Sequence, residues 1–129
     1  MSKDFNQWHN LKQNLHNSRK VVVFKERDII WASIGINIGY EQDGKGEISS
    51  RPLLILKKYN RNLFFGIPLS TKVKEGSFFF EFMLNDKPSS ALLVQGRTYD
   101  VKRLENKIGM ISKQDFSALK LKLKELLDV

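Results

Sequence analysis

The side chains best suited to chemistry in this chain are an arginine ahead of one proline and two hydroxyls behind another. Arg51 immediately precedes Pro52. A residue before proline is held extended, so the backbone beneath Arg51 is well defined. A planar guanidinium at a fixed place matches the oxygens of a phosphate. The alternative is an arginine that pairs with Glu41 or Asp43 and merely closes a loop, and the residues alone leave both open. Ser70 and Thr71 follow Pro68 closely. Two hydroxyls at a strand end can hold a phosphate or form a turn, and the turn is the commoner use. Gln95, Arg97 and Thr98 lie together after a β-prone run, with Asp100 near enough to neutralise Arg97. Phe78, Phe79 and Phe80 are consecutive, so alternation along a strand turns at least one ring away from the core. Such a ring can stack a base or serve a dimer interface.

Other chemistries are excluded. The chain has no cysteine, so it carries no disulfide framework, zinc–thiolate site or cysteine nucleophile. Its two histidines, His9 and His16, both fall in the N-terminal stretch, which leaves no triad and no histidine-based metal site. Gly44-Lys45-Gly46 is too short for a phosphate loop of the P-loop or dinucleotide type. Carboxylates are scattered, and no acid–base pair stands out. The 129 residues fit one domain, and the net charge of +8 favours a polyanionic partner such as nucleic acid, or an acidic protein. No apolar run approaches the length that crosses a bilayer, and no secretory leader is visible, so the expected location is the cytoplasm.

The elements that must position these residues are mostly strands. A thin apolar stripe of Phe5, Trp8, Leu11 and Leu15 predicts a helix over residues 4–18. Residues 21–24 are briefly β-prone. Strict alternation over 29–38 predicts a strand with one buried face. A polar loop with three glycines spans 39–50, a buried strand 53–56, a turn 59–62 and a returning strand 63–69. A second polar loop covers 70–76. Further strands are expected over 77–83 and 90–95, joined by a turn at 85–88, with an irregular stretch over 96–103 and a last strand at 108–111. Ser112 and Asp115 have capping-box spacing, and Phe116, Leu119, Leu123 and Leu126 make the stripe of a C-terminal helix. Short turns without βαβ crossovers point to a small antiparallel barrel or curled sheet plugged by a helix.

At these residues the chain resembles a known family, the MazF/PemK toxins. The resemblance is carried in order by Asp28-Ile29-Ile30-Trp31, by Gly39-Tyr40-Glu41-Gln42-Asp43-Gly44 and by Arg51-Pro52-Leu53-Leu54-Ile55-Leu56. It continues through Ile67-Pro68-Leu69-Ser70-Thr71, Leu93-Val94-Gln95-Gly96-Arg97-Thr98-Tyr99-Asp100, Arg103-Leu104, Lys107-Ile108-Gly109 and the leucine-rich last helix. The resemblance implies a mostly β fold with helices (α+β): a small SH3-like antiparallel barrel of the CcdB/PemK type. That barrel would occupy residues 25–129, after an extension over 1–24 holding the extra helix and a lead-in strand. It also implies a homodimeric type II toxin that cleaves single-stranded RNA, commonly mRNA, at selected sequences without metal or cofactor. A cognate antitoxin would block it with an acidic segment. Arg51 and Ser70 fall on the family's catalytic pair, and Gln42, Thr71, Gln95 and Arg97 on positions that bind RNA.

The chain departs from the pattern in four places. The glycine-rich loop carries five additional residues, Gly46 to Ser50, before Arg51. Val94 stands where some relatives have an acidic residue, and Tyr40 where some have a histidine. The N-terminal helix has no counterpart in short members. Two other readings follow: a non-catalytic relative that binds RNA or antitoxin, and a gyrase-binding toxin of the same barrel superfamily. The retained Arg51 and Ser70 speak against the second.

Overall fold

The computed structural model describes residues 22–36, 48–72 and 76–129. The helix expected over 4–18, the glycine-rich motif and Gln42 lie outside the described residues. Seven strands form: β1 Asp28–Ile36, β2 Ile48–Lys58, β3 Leu63–Ser70, β4 Phe79–Leu84, β5 Lys87–Leu92, β6 Arg97–Asp100 and β7 Leu104–Met110. One helix follows among the described residues, α1 Lys113–Leu127. It is not long and apolar enough to cross a membrane.

The strands make one antiparallel sheet in the order β4-β5-β3-β2-β1-β7, with β6 paired to β3. The ladder does not close on itself, so the expected barrel is an open one. Its β4–β5 hairpin meets β7 by its turn rather than along its length. There the Asn85 Nδ2 donates to the Ile108 carbonyl at 3.1 Å. Side-chain packing completes the junction, since a Cβ on Gly109 would lie 2.8 Å from Leu84 Cδ1.

Both faces of the sheet are covered. Ile29, Leu54, Ile67, Leu69 and Phe82 pack with Phe116, Leu119 and Leu123 of α1 in one layer. Phe24, Ile30, Ala32, Leu53, Ile55, Phe64, Tyr99 and Leu104 make the other. The one-sided burial expected for β1 is therefore corrected: adjacent Ile29 and Ile30 are both buried, one in each layer. Phe24, expected on a lead-in strand, sits instead in irregular chain, and its ring caps the second layer 5.3 Å from Phe64.

Local chemistry explains other differences. Ile48, Ser49 and Ser50 were expected in a loop, but they pair with Ile36, Gly35 and Ser33 and lengthen the β1–β2 hairpin. The hairpin turn narrows to Asn85 and Asp86, both with positive φ (52° and 65°), so Lys87 and Pro88 join β5. That double left-handed turn suits the twist of paired strands. The strand expected over 90–95 ends at Leu92, and Leu93–Gln95 tighten into a 3₁₀ turn. The irregular stretch instead contains β6, recruited by pairing with β3. Ser112 caps α1 as expected, its Oγ accepting from the Asp115 amide at 3.0 Å. The Lys122 ammonium donates to the Phe79 carbonyl and ties α1 to the β4 edge.

Candidate active site

The register of β2 and β3 decides how Arg51 and Ser70 meet. Leu53 pairs with Pro68. Arg51 stands two residues before Leu53 and Ser70 two after Pro68, so both lie at the same end of neighbouring strands. Alternation turns both toward the face of Leu53 and Phe64. β6 extends that face, since Arg97 pairs with Gly66 and Tyr99 with Phe64. Arg51, Ser70 and Arg97 thus share one face across three strands. Gln95 sits exposed on the 3₁₀ turn leading into β6, and Thr71 is exposed just past β3.

The polar partners sharpen this picture. Arg51 is half-buried, and its guanidinium has no hydrogen-bond or ion-pair partner among the described residues. Ser70 does form a turn, its Oγ accepting from the Lys72 amide at 3.2 Å. The hydroxyl proton stays available to a phosphate oxygen, so the two uses of Ser70 are compatible. Arg97 is not neutralised by Asp100. Its guanidinium carbon lies 4.7 Å from the Tyr99 ring centre, while the Asp100 carboxylate accepts from the Lys102 amide at 2.8 Å. Ring stacking leaves the guanidinium's edge free to bind an anion. Of the three phenylalanines, Phe78 turns out, being 51% exposed.

Two glycines let these parts approach. A Cβ on Gly96 would lie 2.6 Å from Phe65 Cε1, and one on Gly66 2.9 Å from Phe64 Cε2. The 3₁₀ turn and β6 can therefore press against β3 and hold Gln95 and Arg97 beside it.

A cavity of about 410 Å³ opens beside Ser70 and Thr71. Trp31, Pro52, Asn85 and Ser89 are among the residues that line it, and Arg51 is not. Sequence reasoning missed Asn85 and Ser89, because a serine in a strand and an asparagine in a turn carry no signal of their own. Elsewhere, Asp28 is 1% exposed at the start of β1 and meets the ammonium groups of Lys25 and Lys107 at 3.1 and 3.0 Å. Burial pushes its pKa up, but the hydrogen bonds from Lys107 and Lys25 outweigh burial and hold it below the ordinary carboxylate value. Among the described residues, no three His, Asp or Glu side chains are grouped to hold a metal.

The profile of PemK-like, MazF-like toxins of type II toxin–antitoxin systems matches residues 25–127. The chain belongs to this family. No protein of curated function matches it. The toxin MazF-mt6 of Mycobacterium tuberculosis superposes with a TM-score of 0.61 at 20% identity, covering 80% of this chain and 98% of its own. MazF of Deinococcus radiodurans gives 0.66 at 19% identity, covering 84% and 99%. A mycobacterial endoribonuclease solved with its cognate antitoxin gives 0.63 at 12% identity, covering 83% and 97%. At such identities the structures bear on the fold. In this PemK-like chain the family match thus takes in all seven strands and α1.

Proposed function

We propose that this toxin is a metal-independent endoribonuclease that cuts single-stranded RNA at selected sequences, with Arg51 and Ser70 as its catalytic pair. The observation that carries the reading is a half-buried guanidinium, unpaired among the described residues, on the same strand end and face as a serine whose proton is free. In the reaction the RNA 2′-oxygen bonds to the adjacent phosphorus and the bond to the 5′-oxygen breaks. The 2′-hydroxyl loses its proton to water, and the leaving 5′-oxygen gains one from water. Negative charge builds on the phosphoryl oxygens, where Arg51 stabilises it and Ser70 donates a hydrogen bond that fixes geometry. Arg51 also hydrogen-bonds the leaving oxygen. Thr71, Gln95 and Arg97 bind the strand on either side, and Gln42 does so from the glycine-rich loop. The protein acts in the cytoplasm as a homodimer and is silenced by a cognate antitoxin. The antitoxin-bound mycobacterial structure supports this partner by analogy of fold.

One observation favours a second reading. Val94, next to Gln95, is 54% exposed and offers no acid or base there. A relative that binds RNA without cutting it would have this surface. Incubation of the protein with long single-stranded RNA in EDTA, alongside Arg51→Ala, separates the two. Discrete cuts that Arg51→Ala abolishes, with melting shifted by no more than a few degrees, support the enzyme. A fully active Arg51→Ala overturns the catalytic assignment, and no cutting by folded wild type favours binding alone.

A further inference from the structure

Arg97 ends a row of aromatic rings that the proposed reaction leaves unused. Arg97 and Tyr99 are two residues apart on β6, so both side chains leave the same face of the strand. The guanidinium carbon lies over the Tyr99 ring, 4.7 Å from its centre. Tyr99 is buried, and its ring stacks on Phe64 with centres 5.8 Å apart and planes inclined by 24°. Phe64 in turn meets Phe24 at 5.3 Å. The far end of the row is pinned as well. There the Lys58 ammonium lies 4.5 Å from the Phe24 ring centre and donates to the Phe24 carbonyl at 2.9 Å.

β3 makes room for this row. Gly66 is the register partner of Arg97. A Cβ there would lie 2.9 Å from Phe64 Cε2 and 3.2 Å from Tyr99 Cδ2, so the two rings fill the space that a side chain would take. An arginine on the surface samples many rotamers and gives up that freedom when it binds. Held over a fixed ring, Arg97 has less to give up. A cation–π contact takes the face of the guanidinium and leaves its N–H edge to a phosphate. We infer that Tyr99, backed by Phe64 and Phe24, is a positioning residue that presents the Arg97 guanidinium to a phosphate of the RNA strand. Its ligand comes from the ribonuclease reading, on which this role rests.

A tyrosine that served the core alone would not act through Arg97, and this separates the two roles. Fluorescently labelled single-stranded RNA, 2′-O-methylated so that it is not cut, is titrated by anisotropy. The proteins are wild type, Arg97→Ala, Tyr99→Leu, Tyr99→Phe and the Arg97→Ala/Tyr99→Leu double variant. Tyr99→Leu should weaken binding about two- to fivefold, the usual worth of such a contact at an exposed site. Tyr99→Phe keeps the ring and should restore binding. Once Arg97 is gone, Tyr99→Leu should add little, because the two residues act as one unit. If Tyr99→Leu fails to fold, Gly66→Ala displaces the same rings and replaces it in the cycle. NMR relaxation of the Arg97 Nε–H in the free wild type needs no variant. Its order parameter should approach the rigid-backbone value of about 0.85, and a value below about 0.6 overturns the positioning. Three binding results also overturn it and leave the ribonuclease standing: wild-type affinity in Arg97→Ala, wild-type affinity in Tyr99→Leu, or an equal loss from Tyr99→Leu with and without Arg97. Coupled losses in a protein that binds unmodified RNA without cutting it uphold the positioning and remove the ribonuclease. Wild type that binds no RNA at all removes both.

Discussion

Asp28 shows how one residue can bind the sheet's first strand to its surroundings. Its carboxylate accepts from the Lys25 backbone amide at 2.9 Å and from two ammonium groups. Asp28→Asn removes the charge from a buried site and should cost about 1.5–3 kcal/mol at pH 7, the usual worth of hydrogen bonds to a charged group. The sign of the pH dependence follows from the lowered pKa. The stabilisation is fully present above the unfolded aspartate value of about 4, and it fades as pH falls through the lower folded value. Urea denaturation of wild type and Asp28→Asn at pH 7 and at strongly acidic pH checks this: the gap between them should shrink in acid. An equal gap at both values would show that the carboxylate's charge is not what stabilises.

At the scale of elements, the β3–β6 contact sets where Gln95 and Arg97 stand. Gly96 is extended at φ −65°, a conformation any residue can adopt, so the demand for glycine here is one of space. Its missing Cβ makes room for the Phe65 ring. Gly96→Ala should therefore push the 3₁₀ turn off β3 and cost about 1–3 kcal/mol, as overpacking does. RNA binding should weaken with it, because Arg97 moves while Arg51 does not. A thermal melt with a parallel RNA-binding titration checks both. Unchanged stability would mean that Phe65 yields freely, and normal binding with lost stability would take Arg97 out of the RNA path.

The molecule as a whole is strongly basic, with 22 lysines and arginines against 14 carboxylates. Among the described residues only two ion pairs form, both on Asp28. Most cations among the described residues thus have no carboxylate to neutralise them there, and their charge can attract a polyanion. Single-stranded RNA should bind with an affinity that falls steeply with salt, each neutralised phosphate contributing about 0.7 to the logarithmic slope. A slope of about 2 or more is expected if Arg51, Arg97 and one further cation contact phosphates. Fluorescence anisotropy with labelled RNA across a salt series checks it, and a flat response would remove phosphate contacts from the account.

Much of this protein is legible in its residues. The two-residue period of the strands, the cap and stripe of α1, and the punctuation by proline and glycine are local properties, and they mark an antiparallel sheet closed by a terminal helix. Arg51 before Pro52 and Ser70 after Pro68 could be singled out because backbone restriction and side-chain type act at the residue itself. What needed tertiary structure was everything that depends on partners distant in sequence. Pairing with β3 made a strand of residues 97–100, and pairing with β1 drew Ile48 to Ser50 out of the loop. That Ser70 forms a turn, and that Tyr99 rather than Asp100 is the neighbour of Arg97, rested on where side chains point. That Ser89 would be 6% exposed and line a cavity could not be foreseen at all, since burial is a property of the packed fold and not of any one residue in it.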